Sequence, residues 1–211
     1  MIDVIIKPKA TWAYKSMIKL ALEKVKGANI IYANSLVEGL PNVKSEFVCY
    51  IGNAIVDTDY FNDNLNIFIE YPAFKKLSIV SSATLDKNLS KRVYGYTLDP
   101  DGVKPVYKKA SSMPYALQIA YLPGAIIRFS AIDHIKEYLT GDDLKDSYQA
   151  SVDFWMTGKR CYINPRSTYI DYRFNPTDDI KFSKDPWANH EPMQKIKLMW
   201  KREVIWTTGM N

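Results

Sequence analysis

The chain has 211 residues, of which 47% are hydrophobic and 13% aromatic, and its formal net charge is +5. These values exclude an intrinsically disordered chain, which combines low hydrophobicity with high net charge. A chain of this length favours a single domain over residues 1–211. With nine glycines, two histidines and two cysteines, the composition argues against glycine-rich nucleotide loops and against most metal or thiol chemistry.

The first predicted element is a helix over residues 11–26. Thr11 can cap its start, and Gly27 suits the left-handed conformation that often follows a helix. The apolar side chains recur at helical spacing and therefore share one face: Tyr14, Met17, Ile18, Ala21 and Val25.

The next segments favour extended structure. Residues 47–51 are β-branched and aromatic, as in a buried strand. Residues 57–66 are polar and predict a turn. Leu65, Ile67 and Ile69 then fall at strand period, which predicts a further strand.

The segment 87–109 predicts a two-stranded β-ribbon that protrudes from the domain. The sequence Asp-Pro-Asp-Gly at 99–102 is a turn signal between two short arms. Basic and aromatic side chains flank these arms, and we expect them to contact a neighbouring subunit or partner protein. The expected interface residues are Lys91, Arg92, Tyr94, Tyr96, Lys104 and Tyr107.

The second half of the chain predicts one more helix, over residues 130–140, and several strands. Residues 115–121 and 152–156 alternate at strand period. Residues 175–192 contain three prolines and predict an irregular loop. The predicted fold class is therefore α+β, with a mainly antiparallel sheet and two helices, at about 11–26 and 130–140.

A last strand is predicted beyond the proline-rich loop, because apolar and basic residues alternate there. Its basic residues would share the outer face of the sheet. We expect this face to be the part of the protein that could meet DNA. The residues concerned are Lys195, Lys197, Lys201 and Arg202.

The acidic triplet Asp57-Thr58-Asp59 is the first candidate for chemistry. Two carboxylates at this spacing could hold a divalent cation. No further acid supports them, and we interpret the triplet as a solvated turn. A hydrolase centred on this pair or on His134 is the enzymatic alternative. Our expectation is a protein without catalytic residues, metal or cofactor.

The histidines and cysteines complete the candidates. His134 lies beside Asp133 on the second predicted helix and could act as a general base. No nucleophile signature supports it, and we interpret it as structural. His190 lies in the proline-rich loop without a zinc-protease motif. Cys49 and Cys161 favour buried reduced thiols, with a disulfide between them as the alternative.

Residues 159–173 interleave basic and aromatic side chains. Such a cluster could present cations and stacking rings to single-stranded nucleic acid. A nucleic-acid-binding module is therefore the alternative function. A net charge of only +5 favours instead a solvated basic face of the sheet.

One stretch resembles the tail completion and tail terminator (neck) proteins of tailed bacteriophages. Residues 108–115, with the sequence KKASSMPY, carry a Pro-Tyr pair that opens a strand, and the helix predicted at 130–140 follows. The order of elements over residues 11–170 is similar to that family. The chain departs from the pattern at Leu122-Pro123-Gly124 and in the loop at 175–192.

The resemblance implies a non-enzymatic structural protein of the virion. Such a subunit forms a ring at the tail end or neck and joins the tail to the head. The implied partners are identical subunits, other tail or neck proteins, and passing DNA held by nonspecific contacts. No apolar run reaches the roughly 18–20 residues of a membrane span, and the start lacks a signal-peptide pattern. We therefore expect synthesis in the host cytoplasm, no membrane contact and a location in the virion.

Overall fold

A computed structural model describes residues 1–8, 12–52, 54–70, 74–184 and 191–204. A nine-stranded mixed sheet lies at its centre, with a separate three-stranded sheet beside it. In chain order the strands are β1 (Ile2–Ile6), β2 (Ala28–Tyr32), β3 (Phe47–Ile51), β4 (Ala54–Ile55), β5 (Leu77–Leu85), β6 (Arg92–Val93), β7 (Tyr96–Asp99), β8 (Gly102–Pro105), β9 (Tyr115–Ala116), β10 (Ile126–Arg128), β11 (Arg160–Asp171) and β12 (Ile180–Lys181).

Six α-helices lie within the described residues. Gly27 follows the first of them with a φ of +72°, the left-handed conformation predicted for it. The helices are α1 (Trp12–Glu23), α2 (Leu36–Gly39), α3 (Tyr60–Glu70), α4 (Phe129–Ile132), α5 (Asp143–Met156) and α6 (Glu191–Glu203).

Most of the long strands run in one direction. The strand order is β2-β1-β3-β10-β5-β11-β4. β1 pairs in parallel with β2 and β3, and β5 pairs in parallel with β11, whereas β10 is antiparallel to both of its neighbours. Every residue of β1 and β3 is buried, as expected of strands that are covered on both faces.

Helices cover both faces of the large sheet, and each face has its own apolar core. One core contains residues of α1 and α3, such as Ile18 and Phe61. The other contains residues of the remaining helices, such as Ile132, Phe154 and Trp200. The arrangement is therefore a three-layer α/β/α fold.

The smaller sheet contains a hairpin at the predicted turn. β7 pairs with β8, with Tyr96 opposite Pro105, and β12 adds a third strand. The expected protrusion from the domain is wrong. Val93, Tyr96 and Val103 belong to the core and are at most 2% exposed, so the apolar face of the hairpin packs against the body of the protein.

The predicted α+β class, with a mainly antiparallel sheet and two helices, is wrong. The helix expected at 11–26 is present as α1, but the one expected at 130–140 is the short α4 followed by a 3-10 turn, Asp133–Tyr138. The error came from the connections between strands. Residues 65–69 in α3 and 152–156 in α5 alternate at strand period and so predicted additional strands, which favoured an antiparallel sheet.

The helices α3, α5 and α6 were missed because short apolar runs fit two periods. Ile67 and Ile69 share a face of a strand, but in α3 the first is buried and the second is 74% exposed. In α6, Ile196 and Trp200 are buried whereas Leu198 is 57% exposed. The buried positions are spaced as on a helix face, and only the packing shows which of the apolar residues they are.

The basic residues expected on the outer face of a strand lie on α6 instead. Lys195 pairs there with Glu191 at 3.0 Å, while Lys201 and Arg202 are exposed and Lys197 is half-buried. The strand is wrong, and contact with DNA stays a prediction. No helix within the described ranges is long and apolar enough to cross a membrane.

The proline-rich segment at 175–192 is only partly irregular. It contains β12 and runs into α6, which begins at Glu191. Residues 185–190, which include His190, lie outside the described residues.

Candidate active site

A cleft lies at the edge of the sheet where β1, β2 and β3 end. Because these strands are parallel, the residues that follow them meet at this edge, where open α/β sheets bind their ligands. Lys7 follows β1, Asn34 and Ser35 follow β2, and Tyr50 lies near the end of β3. All four line one cavity of about 70 Å³.

Asp143 reaches this cavity from the first turn of α5. The Asp142 side chain caps the helix by accepting hydrogen bonds from two backbone N–H groups. Asp146, which is buried, accepts the backbone N–H groups of Thr140 at 2.7 Å and Gly141 at 2.8 Å. These bonds hold the turn before the helix and so position Asp143. Among the described residues, none makes a hydrogen bond or ion pair to the Asp143 carboxylate. The neighbouring charges act on it through space.

Asp171 and Arg173 come from the carboxyl end of β11. Asp171 is 1% exposed, and its Oδ1 accepts the Arg173 backbone N–H at 2.9 Å. The Arg173 guanidinium lines the cavity beside the Tyr50 hydroxyl. Its Nη2 lies 3.0 Å from the position that a Cβ on Gly52 would take. The guanidinium therefore covers the first residue after β3.

The charged groups of the cleft shift the proton affinities of one another. Burial, and then the charge of Asp171, raise the pKa of Asp143 to about 6, against the opposing charges of Arg173 and Lys7. Burial also raises the pKa of Asp171. Burial and the charge of Arg173 lower the pKa of Lys7. Asp143 therefore titrates close to neutral pH, where a general base works best.

A second cavity, of about 140 Å³, shares Asp143 and Arg173 with the first. Aromatic rings form part of its wall, with Tyr121 packed on Phe174 at 5.2 Å and on Tyr96 at 6.2 Å between ring centroids. Polar groups complete the lining: Asp142, Asn175 and Asp178. Asp143 thus stands between a first cavity, whose lining includes Lys7, Arg173 and Asp146, and a second cavity lined by aromatic and polar groups.

The acidic triplet lies outside the two cavities of the cleft. Asp59 pairs with Lys24 at 2.7 Å, and Lys24 follows α1, close to where Gly27 contacts Met1 at the start of β1. Asp57 is exposed, and its Oδ1 accepts the Asp59 backbone N–H at 3.1 Å. This geometry agrees with the interpretation of the triplet as a solvated turn.

The other sequence candidates also lie outside the cleft. His134 Nε2 is 2.7 Å from Asp153 Oδ2 in an exposed pair. Cys49 and Cys161 are free and buried, and burial raises the pKa of both thiols, that of Cys161 to about 12. Thiols with raised pKa values are poor nucleophiles at neutral pH.

The residues expected at a subunit interface are divided between the core and the surface. Tyr94 and Tyr96 are buried, so their side chains offer little surface to a neighbouring subunit, and this contact stays a prediction. Lys104 pairs with Asp101 at 2.9 Å. Three members of the group are exposed, and their contact with a partner stays a prediction: Lys91, Arg92 and Tyr107.

The basic and aromatic cluster at 159–173 is not a single surface. Arg160 is buried, bonds Glu203 at 2.6 Å and stacks on Trp155 at 4.9 Å. Tyr169 is fully buried. Successive side chains of a strand point to opposite faces, so β11 separates these residues. The interpretation as a nucleic-acid-binding module is wrong for this reason.

The residues that do meet in the cleft were not recognised in the sequence. Lys7 follows a short buried strand, and Asp143 opens a helix after a capping aspartate, which are signals of ligand-binding edges in parallel sheets. These signals indicate a ligand-binding edge only in a parallel sheet, and the sequence predicted an antiparallel one. Asp171 had no local signal, because it reaches Asp143 only through the pairing of β11 with β5.

No family model and no curated protein matches this chain. It is similar to the crystal structure of GalNAc-T7 with UDP, GalNAc and Mn²⁺, with a TM-score of 0.51 and 12% identity over 81% of this chain and 43% of that chain. It is also similar to the mannosyltransferase PcManGT from Pyrobaculum calidifontis in complex with GDP-Man and Mn²⁺. That similarity has a TM-score of 0.52 and 11% identity over 81% of this chain and 56% of that chain.

These similarities establish a glycosyltransferase-like α/β fold. The chain spans about half the length of the two proteins. Neither of them is a tail terminator, and the expected function, a non-enzymatic ring subunit at the neck of a phage, is wrong. The expected ring partners and the location in a virion stay predictions.

Both of those structures contain Mn²⁺, which raises the question of whether this cleft fits a divalent cation. Such ions prefer sets of oxygen ligands rich in carboxylates. Within the described ranges, no three His, Cys, Asp or Glu side chains are grouped so that they could hold a metal ion. Of the carboxylates that line the two cavities, Asp143 faces the positive charges of Lys7 and Arg173, and Asp146 already accepts the backbone N–H groups of the turn before α5. The other two are Asp142, which caps α5, and Asp178, which accepts a hydrogen bond from Asn175. The described residues therefore do not fit a divalent cation.

Proposed function

We propose that this protein transfers a sugar from a nucleotide-sugar donor to a hydroxyl group of an acceptor. The observation that carries the proposal is the position of Asp143, an unpaired carboxylate shared by two adjoining cavities. The glycosyltransferase-like fold supports it, since the two compared structures contain UDP with GalNAc and GDP-Man.

The first cavity suits the donor. Lys7 and Arg173 bring two positive charges to its lining, which also contains Asp143 and the buried Asp146. A nucleotide sugar carries two negative phosphates, which the two cations can meet. Cations placed where negative charge develops on the leaving group also lower the barrier to transfer. We therefore assign the diphosphate to this cavity.

The second cavity suits an acceptor that carries hydroxyl groups. Its aromatic wall, formed in part by Tyr121 and Phe174, can pack against the apolar face of a sugar ring. Its carboxylate and amide groups can hold the hydroxyls of the same ring, in particular those of Asp178 and Asn175. A saccharide is the acceptor class that uses both kinds of contact.

Asp143 is the general base in this proposal. It takes the proton of the acceptor hydroxyl while the oxygen forms a bond to the anomeric carbon of the donor. The bond from that carbon to the diphosphate oxygen breaks, and its electron pair leaves with the nucleoside diphosphate. Because a positioned base contributes roughly 10²–10⁴ to the rate, loss of this carboxylate should abolish most of the turnover.

The test is release of UDP or GDP from UDP-GalNAc, UDP-glucose and GDP-mannose, each with methyl glycosides as acceptors. Wild-type protein should release nucleotide from at least one donor, and Asp143→Asn should slow this release roughly 10²–10⁴-fold. Asp133→Asn is the matched control, because Asp133 is an exposed carboxylate paired with Lys136. Undiminished release by Asp143→Asn, or no release by the wild type from any donor, would contradict the proposal.

A further inference from the structure

Lys7 and Arg173 are two cations whose charges are not matched by ion pairs among the described residues. The negative groups that act on them are Asp143 and Asp171. Asp171 is 1% exposed and accepts a backbone hydrogen bond, so it offers almost no surface to a ligand. The Arg173 side chain is exposed and Lys7 is half-buried. Asp143 is half-buried, so the accessible charges at this end of the cleft are two cations and one carboxylate.

The two cations are close enough to affect each other. Burial is the main cause of the lowered pKa of Lys7, and repulsion by Arg173 is the second. Holding like charges together in a half-buried cleft costs free energy. A bound anion that contacts both side chains would offset this cost.

The position of Arg173 also opposes a metal ion at the end of β3. The residue that follows this strand is Gly52, which has no side chain to offer as a ligand. The guanidinium lies 3.0 Å from where its Cβ would be. A carboxylate added there would meet a cation, and a divalent ion placed there would be repelled by it. A guanidinium in this place can instead bind two phosphate oxygens at once.

We infer that Lys7 and Arg173 bind the diphosphate of the donor directly, without a divalent cation. The inference rests on the proposed function for the choice of ligand, and it assigns to two side chains the role that a metal ion would otherwise have. Arg173 supplies a planar pair of donors and Lys7 a compact charge in the lining of the same cavity. Together they neutralise the two phosphates.

The experiment is isothermal titration calorimetry with UDP and with GDP, carried out once in EDTA and once in MnCl₂. For the wild type we expect binding in EDTA, with a dissociation constant within roughly threefold of that in Mn²⁺. Lys7→Ala and Arg173→Ala should each weaken binding roughly 10–100-fold, the range for loss of a charge-assisted hydrogen bond. Arg173→Lys, which keeps the charge but loses the planar pair, should lie between Arg173→Ala and the wild type.

Lys136→Ala is the matched control, because Lys136 is an exposed lysine paired with Asp133, and it should bind like the wild type. Thermal unfolding of each variant checks that the fold is intact. Lys7→Gln, which keeps most of the aliphatic side chain, replaces Lys7→Ala if that variant unfolds.

These measurements test metal-independent nucleotide binding separately from sugar transfer. Nucleotide binding only in Mn²⁺, undiminished binding by the Lys7 and Arg173 variants, or no binding in either buffer would overturn the inference. Binding in EDTA that depends on both cations would support it. If this binding is found but no donor is turned over, the inference holds and the proposed function fails.

Discussion

The triplet Asp57-Thr58-Asp59 and the pair Asp143 and Asp171 place the same residue type in opposite environments. In the triplet the carboxylates are exposed and have partners, Lys24 for Asp59 and a backbone N–H for Asp57. In the cleft, burial raises the pKa values of both carboxylates, and the charge of Asp171 raises that of Asp143 further. Acidic residues adjacent in the sequence are therefore a poor guide to chemistry here, whereas a desolvated carboxylate without a partner is a good one.

The largest difference between the two regions is expected in the pH dependence of turnover. Asp143 acts as a base only when ionised, and its pKa is about 6. Nucleotide release should therefore fall roughly tenfold per pH unit below the pKa. Asp171→Asn removes a charge that raises this pKa, so the fall should begin at a lower pH.

Initial rates measured from about pH 4.5 to about pH 8 would establish these profiles. Asp59→Asn, in the triplet, should leave the profile where it is. If turnover falls at the same acidic pH in Asp171→Asn as in the wild type, the charge of Asp171 does not raise the pKa of Asp143.

The second expected effect is structural and concerns the turn that positions Asp143. Asp146→Ala would leave the backbone N–H groups of Thr140 and Gly141 without their buried, charged acceptor. We expect the free energy of unfolding to fall by about 2–3 kcal/mol, and turnover to slow because Asp143 is displaced. Urea denaturation measures the first effect, and Asp57→Ala in the exposed triplet is the comparison. Equal losses in the two variants would contradict the positioning role.

A smaller effect of opposite sign is expected for Asp143→Asn. The folded-state pKa of about 6 lies above the ordinary value of 3.8, so folding favours the protonated form. The stability from this group is complete below about pH 3.8 and is lost as the pH rises through about 6. At neutral pH the uncharged Asn should therefore raise the free energy of unfolding, on the order of 1 kcal/mol after allowance for solvent screening.

Urea denaturation of Asp143→Asn and wild type at neutral pH and near pH 3.8 would test the sign. A gain in stability at neutral pH that disappears in acid is expected. A loss at neutral pH would mean that the carboxylate has a stabilising partner in the folded protein.

The smallest effect is expected for the triplet itself. Asp59→Asn removes an exposed ion pair with Lys24, and such pairs contribute about 0–1 kcal/mol. The loss should shrink at high salt, because exposed charges are screened, and nucleotide release should not change. A large loss of turnover in this variant would move the candidate site to the triplet.

Local sequence patterns predicted an element correctly where a single hydrophobic periodicity or a single turn signal was present. The apolar face of α1, the buried run of β3 and the turn before Gly102 each lie within a few residues and were predicted in place. Local patterns failed for α3, α5 and α6, because a few apolar residues at alternate positions fit a strand as well as a helix. Leu198, apolar but 57% exposed, illustrates why the sequence pattern was ambiguous.

By itself the sequence determined that this is a folded, mildly basic chain with a first helix and a buried strand, and it favoured reduced cysteines over a disulfide. Only the tertiary structure decided that most of the long strands run in parallel and that Lys7, Asp143 and Asp171 meet at one edge of the sheet. Strand direction depends on pairing between distant segments, and hydrophobic periodicity looks the same for either direction. The raised pKa of Asp143 likewise depends on distances through space, which no local run of residues encodes.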